Sequence, residues 1–267
     1  MKKHGIIRAG IGGWTFEPWR GSFYPEGLAH AKELDYASRH LPTIEVNGTF
    51  YRNQAPKTFA KWASETPGGF VFAIKGPRYA VNRRVLAEAG DSIKRFFDSG
   101  PTALGDKLGP LLWQFAPAKK FDAADFAAFL ELLPQKFDGR ALRHAVEVRH
   151  PSFSTPEFIK LLREHDIAVV FSEHATFPAI ADATADFIYA RLQKGKDSEK
   201  AGYPGKALDA WAKRVHTWAA GGVPADLDLA DAKHKTPAKP RDVFVYFIHE
   251  GKVRAPHAAM ALMQRLT

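Results

Sequence analysis

The stretch His144-Ala145-Val146-Glu147-Val148, followed by Thr155-Pro156-Glu157-Phe158-Ile159 and then Ile167-Ala168-Val169-Val170-Phe171, reads as strand, helix, strand. The outer runs are short, apolar and bounded by charge or turn residues, which is the pattern of buried strands. Between them, Thr155 is placed to cap a helix whose first position is Pro156, where a missing N–H costs nothing.

The same alternation extends in both directions. Toward the N-terminus, strands are expected at Ile6 to Ile11, Thr43 to Val46, Phe70 to Ile74 and Leu108 to Phe115. Toward the C-terminus they are expected at Phe187 to Arg191 and Val243 to Phe247. Helical spacing of apolar residues marks Ala55 to Ala63, Asp122 to Leu133, Lys206 to Ala219 and Pro256 to Leu266. The gap between the sixth and seventh strands is short, so a helix there is expected to be vestigial. Strands alternating with helices imply a parallel sheet. A length of 267 residues suits one α/β domain over 1–267, a single (β/α)8 TIM barrel.

A doubly wound open sheet is the structural competitor, because Gly10-Ile11-Gly12-Gly13 invites a dinucleotide-binding reading. That motif needs a third glycine inside a following helix. Here Trp14, Thr15, Phe16 and Pro18 follow instead. The glycines are better read as a turn that folds Trp14 over the barrel mouth.

Cysteine is absent, which removes disulfides, thiolate catalysis and Cys-ligated zinc together. No apolar stretch reaches membrane-spanning or signal-peptide length, so no membrane partner and a cytoplasmic location are expected. The formal charge of +9 comes from 38 Lys+Arg against 29 Asp+Glu. The cations are spread along the chain, so a solvated basic surface is favoured over a nucleic-acid footprint. Oligomeric state is not encoded in any of these features.

Side chains alternate along a barrel strand, and active sites sit where the strands end. This register puts Glu45 with Asn47 on the second strand, and Lys75 with Val71 and Ala73 on the third. Gln114 falls with Leu112 on the fourth, and Glu147 and Arg149 with Ala145 on the fifth. Arg191 falls with Phe187 and Tyr189 on the seventh, and His249 with Val245 and Phe247 on the eighth. Apolar runs that end in polar groups on one face point to a site, because burying unpaired charge is expensive.

Carboxylates and a lysine suit general acid/base work, so Glu45, Glu147 and Lys75 are the candidate catalytic residues. Asn47, Tyr51, Gln114, Arg149, Arg191, Lys194 and His249 are the candidate ligand-binding residues, the arginines suiting bidentate phosphate or carboxylate. The expected function is an enzyme (hydrolase, lyase or isomerase) acting on an anionic small molecule. A nucleic-acid-binding or phosphodiester-processing barrel and a non-catalytic ligand-binding barrel are the alternatives. On this reading Arg191→Ala weakens ligand binding with little loss of folding; a structural salt-bridge network is the competing account.

No cofactor is expected. Tight metal spacing such as His-Glu-x-x-His is absent. A divalent metal at Glu173-His174 with Glu147 and His249 is the minority reading. The polar, glycine-containing segment from Leu192 to Gly205 is expected to be a mobile lid. The basic, proline-broken segment from Ala232 to Arg241 is expected to be a solvated linker at the opposite face.

Several motifs at these positions resemble the YecE-like family (domain of unknown function 72). They are Gly12-Gly13-Trp14, Trp19-Arg20-Gly21-Ser22-Phe23-Tyr24-Pro25, Ile44-Glu45-Val46-Asn47-Gly48-Thr49-Phe50-Tyr51, Leu108-Gly109-Pro110-Leu111-Leu112-Trp113-Gln114-Phe115 and Ala145-Val146-Glu147-Val148-Arg149-His150-Pro151-Ser152-Phe153. Phe70 to Lys75, Ala185 to Arg191, Val243 to Phe247 and Ala255-Pro256 continue the match nearly end to end. The resemblance implies a TIM barrel without an established activity. The sequence departs from the family pattern at Val81-Asn82, at Leu192-Gln193-Lys194-Gly195 and at Phe247-Ile248-His249, all near the expected pocket mouth.

Overall fold

A computed structural model describes residues 4–266, apart from the side chain of His249. Its barrel strands are β1 (Ile7–Gly12), β2 (Thr43–Val46), β3 (Val71–Lys75), β4 (Leu108–Gln114), β5 (His144–Glu147), β6 (Ala168–Glu173), β7 (Phe187–Lys194) and β8 (Asp242–Glu250). They close in sequence order into a fully parallel barrel, with β1 pairing both β2 and β8. This is the (β/α)8 architecture expected from the alternation.

The helices are α1 (Glu33–His40), α2 (Gly48–Tyr51), α3 (Pro56–Ser64), α4 (Arg78–Val81), α5 (Gly90–Asp98), α6 (Ala123–Glu131), α7 (Pro156–Glu164), α8 (Gly205–Ala219) and α9 (Ala255–Gln264). Thr155 caps α7 as expected, its hydroxyl accepting from the Phe158 N–H at 3.3 Å. Asp122 caps α6 in the same way. Between β6 and β7 there is no helix among the described residues. Irregular chain with buried Ile180, Ala181 and Asp182 fills the space. The Asp182 carboxylate fixes it by accepting from the Ala230 and Asp231 N–H groups and from Arg163.

Two apolar layers follow from strand alternation. Outward residues such as Ile44, Ile74, Trp113, Val146 and Val245 pack under the helices. Inward residues Ala73, Leu112, Ala145, Val170, Phe187, Tyr189, Phe244 and Tyr246 fill the barrel. Small and aromatic side chains share this interior, so the lower barrel is a packed core rather than a channel.

β8 corrects one register. Phe244, Tyr246 and Ile248 belong to the interior, whereas Val245 and Phe247 join the helix-facing core. The side chain of His249, expected on the face of Val245 and Phe247, lies outside the described residues. Uniformly apolar Val243 to Ile248 carries no alternation to fix the phase, and a one-residue slip inverts every assignment.

The glycine cluster has a steric cause. A Cβ on Gly10 would lie 2.0 Å from the Thr43 carbonyl oxygen, so β1 and β2 approach through bare backbone. Gly13 has a φ of 74° and turns the chain out of the barrel. Trp14 does not fold over the mouth. It packs edge-on to Trp62 at 5.2 Å, under α3, and Trp19 takes the mouth position instead.

Candidate active site at the barrel mouth

The C-terminal strand ends surround a cavity of about 440 Å³. Its polar lining comes from Asn47, Lys75, Gln114, Arg149, Arg191 and Gln193, with Lys252 at the edge. Gly12, Trp19, Phe247 and Ile248 supply the apolar wall. The indole N–H of Trp19 donates to the Lys252 carbonyl at 2.8 Å, which fixes the loop after β1 against the segment after β8.

The floor is a saturated ionic lattice. Arg191 is clamped between two carboxylates that are wholly buried. Its Nη1 donates to both oxygens of Glu147, at 2.7 and 2.8 Å. Its Nε and Nη2 donate to Glu45 at 3.1 and 3.0 Å. The Tyr189 hydroxyl adds a 2.7 Å bond to Glu45. Ser172, Gln114 and Arg149 complete the shell of Glu147.

Burial alone would raise the Glu147 carboxyl, but the Arg191 and Arg149 charges outweigh it and hold it down at about 2. Burial alone would lower Arg191, and its two carboxylates reverse that and raise it further. These groups keep fixed charges at neutral pH. With its oxygens fully engaged and its proton gone, Glu147 is poorly placed to act as acid or base.

The rim above the lattice is different. The Lys75 ammonium donates to the Gln114 carboxamide oxygen at 2.7 Å and more weakly to Asn47 at 3.5 Å, and lies 4.2 Å over the Phe50 ring. These contacts are to neutral groups. Burial first, then the Arg191 charge, lower Lys75 to about 8, although Glu45 and Glu147 pull the other way. Arg149 gives one 3.3 Å bond to Glu147 and lies 4.6 Å over Phe177, while its Nε has no partner among the described residues. Gln193 is 1% exposed, yet neither atom of its carboxamide is bonded within the described residues. A buried amide with both ends unmet is costly in a native fold unless something else satisfies it.

The structure thus brings together Glu45, Glu147, Lys75, Asn47, Gln114, Arg149 and Arg191. It does not bring Tyr51 or Lys194. Tyr51 is 62% exposed and lines a separate surface cavity, because α2 rotates it away from the mouth. Lys194 is exposed at the end of β7, on the side opposite Gln193. Gln193, Ser172 and Tyr189 belong to the site although the sequence did not single them out as such. Strand alternation from Arg191 back to Tyr189 and on to Gln193 carries that signal.

In the segment after β7, expected to be a lid, the Lys196 N–H donates to the Gly202 carbonyl at 2.7 Å and the buried Tyr203 hydroxyl donates to Glu173 at 2.7 Å. Glu173 is therefore turned under α8, where Trp211 also donates to it, rather than toward Glu147. His174 stacks on Phe177 at 3.7 Å. Among the described residues no group of three or more His, Asp or Glu side chains is spaced to hold a metal. Among the described residues no helix is long and apolar enough to cross a membrane.

The profile of the family described as "Protein of unknown function DUF72" matches residues 8–267. The chain belongs to the DUF72 family. The DUF72 barrel superposes on a DUF72 family protein from Enterococcus faecalis V583 with a TM-score of 0.71 at 17% identity, covering 98% of each chain. A DUF72 family protein from Thermotoga maritima MSB8 gives 0.70 at 22% identity, covering 97% of each. Both share the fold at full length. The UPF0759 protein YunF of Bacillus subtilis (strain 168) is 29% identical over 159 residues, spanning 57% of this chain and about half (54%) of YunF.

Proposed function

We propose that the barrel mouth binds a small molecule bearing a phosphate or carboxylate, and that Lys75 supplies the acid/base or nucleophilic group. One observation supports this reading: Arg149 Nε and the Gln193 carboxamide are without a partner among the described residues and both residues line one cavity with Lys75, whose hydrogen bonds are to neutral amide oxygens, while both nearby carboxylates are already bonded to Arg191. An anion entering there meets Lys75, whose contacts are to neutral groups, and Arg149, held to Glu147 by a single 3.3 Å bond. A cavity of about 440 Å³ suits a compact metabolite rather than a duplex. A lysine held at about 8 has an appreciable unprotonated fraction near neutral pH, which a surface lysine lacks. Glu45 and Glu147 become the frame that aims Arg191 and offsets its charge.

The test is a thermal-shift panel of inorganic phosphate, sugar phosphates, nucleotides, carboxylates, divalent metals and short DNA at two salt concentrations. It is run on the parent, Lys75→Met and Arg149→Ala. A salt-tolerant shift from one small anion, missing in both variants while both still fold, is the expected result. Absence of any small-anion shift, or its survival in both variants, overturns the reading.

A further inference from the structure

A second cavity of about 330 Å³ opens beside the mouth, lined by Tyr51, Arg52, Asn53, Pro77, Tyr79, Ser92 and Arg95. It lies between α2, which follows β2, and α4 with the start of α5, which follow β3. It is thus on the same C-terminal face as the site above. The Asn53 carboxamide donates to the Arg95 carbonyl at 3.2 Å and ties its two sides together.

Two features separate this cavity from an ordinary solvated rim. Tyr51 and Tyr79 are 62% and 59% exposed, the two most exposed large hydrophobic side chains of the described residues. Every other described tyrosine is buried or partly buried. Around the cavity stand arginines that have no carboxylate partner among the described residues. Arg78 lies 5.1 Å over the Tyr79 ring and donates to its hydroxyl at 3.2 Å. Arg83 donates to Ser92 Oγ at 3.3 Å and keeps a buried Nε with no partner among the described residues. Arg52 and Arg95 line the cavity, and among the described residues neither forms an ion pair, although Glu88 and Asp91 lie in the same connection.

Exposed aromatic faces interleaved with unpaired arginines match the chemistry of an unstacked base and its phosphates. Bases stack on phenol rings without regard to sequence, and guanidinium groups take the phosphate oxygens. Duplex nucleic acid offers no base faces and would leave the tyrosines unused. We propose that this outer cavity is a binding site for single-stranded nucleic acid, with one base held between Tyr51 and Tyr79 and the flanking phosphates on Arg52, Arg95 and Arg78. The net charge of +9 favours approach of such a strand to the whole molecule. This outer cavity shares no lining residue with the mouth.

The test is fluorescence anisotropy of the full chain with a labelled 12-nucleotide oligo(dT), at several salt concentrations. Tyr51→Ala and Tyr79→Ala are each expected to weaken binding about tenfold or more, and Tyr51→Phe to retain it. Arg95→Gln is expected to flatten the dependence of log K on log salt by about 0.7, one phosphate contact's worth. Arg149→Ala at the mouth is expected to leave strand binding unchanged, so failure here and failure of the small-anion reading are separable. No binding at low salt, affinity indifferent to both Tyr→Ala changes, tighter binding of a hairpin duplex, or free thymidine monophosphate competing as well as the strand would each overturn the proposal.

Discussion

The floor and the rim of the barrel mouth are built from the same residue types and behave oppositely. On the floor, Arg191 meets Glu45 and Glu147 through paired hydrogen bonds, and each carboxylate takes further donors. On the rim, Lys75 has only amide oxygens and a ring, and Arg149 and Gln193 retain unmet atoms. A charge buried with its complement is a structural member, and removing one partner strands the other. A charge or amide buried without one raises the energy of the empty site and is poised to gain from a ligand. Charge in a pocket is therefore not by itself evidence of chemistry; the state of its hydrogen-bond capacity distinguishes the two roles.

The largest test of that contrast is Arg191→Ala. It leaves Glu45 and Glu147 facing each other in a buried site and is expected to cost about 3–5 kcal/mol, read by urea denaturation. This reverses the expectation from sequence, in which the same change spares the fold. A stable Arg191→Ala protein that has lost only ligand binding would erase the distinction between floor and rim.

The next effect is acid sensitivity. Glu147 sits at about 2 when folded against an ordinary value of 4.5, so the unfolded chain holds more protons between those limits. Stability from this group is complete above pH 4.5 and is lost as pH falls toward about 2, a loss of roughly 3 kcal/mol. Glu147→Gln is expected to be less stable at pH 7 and to flatten that part of the denaturation profile. An unchanged slope in that window would show that Glu147 is not held by Arg191.

Lys75→Met should do the opposite to stability. The folded Lys75 lies at about 8, below its ordinary 10.5, so the unfolded chain binds more protons in that interval and stability rises with pH there. Replacing it with an uncharged chain of similar length is expected to raise stability at pH 7 by about 1–3 kcal/mol while abolishing the small-anion shift. In the parent, anion binding is expected to weaken as pH passes about 8 and the ammonium is lost. A destabilised Lys75→Met protein would place Lys75 with the floor.

Lys194→Ala is the smallest. Lys194 is exposed and outside the mouth cavity, so less than about 0.5 kcal/mol in stability and no change in the anion response are expected. A loss of anion binding would extend the rim across the end of β7.

Much of this was legible in the chain. Strands that run straight into a polar residue, such as Thr43 to Val46 before Asn47 and Phe70 to Ile74 before Lys75, mark the end on which a site would sit. Period-two alternation fixes which side chains share a face, so Glu45, Lys75, Gln114, Glu147, Arg149 and Arg191 were recoverable as one group. β8 was not, because its apolar run has no polar residue to set the phase. α2 rotated Tyr51 out of the mouth, since the residue's offset from the strand end says nothing of the helix that starts there.

The sequence determined the barrel, its end-to-end alternation and the set of side chains aimed at its C-terminal mouth, because these depend on local periodicity. The tertiary structure alone decided which of those charges are spent. Arg191 lies 44 residues from Glu147 and 146 from Glu45, and closure of the barrel brings all three within hydrogen-bond distance. Pairing across a closed sheet depends on strand stagger and side-chain reach around the ring, quantities that no local pattern in the chain carries.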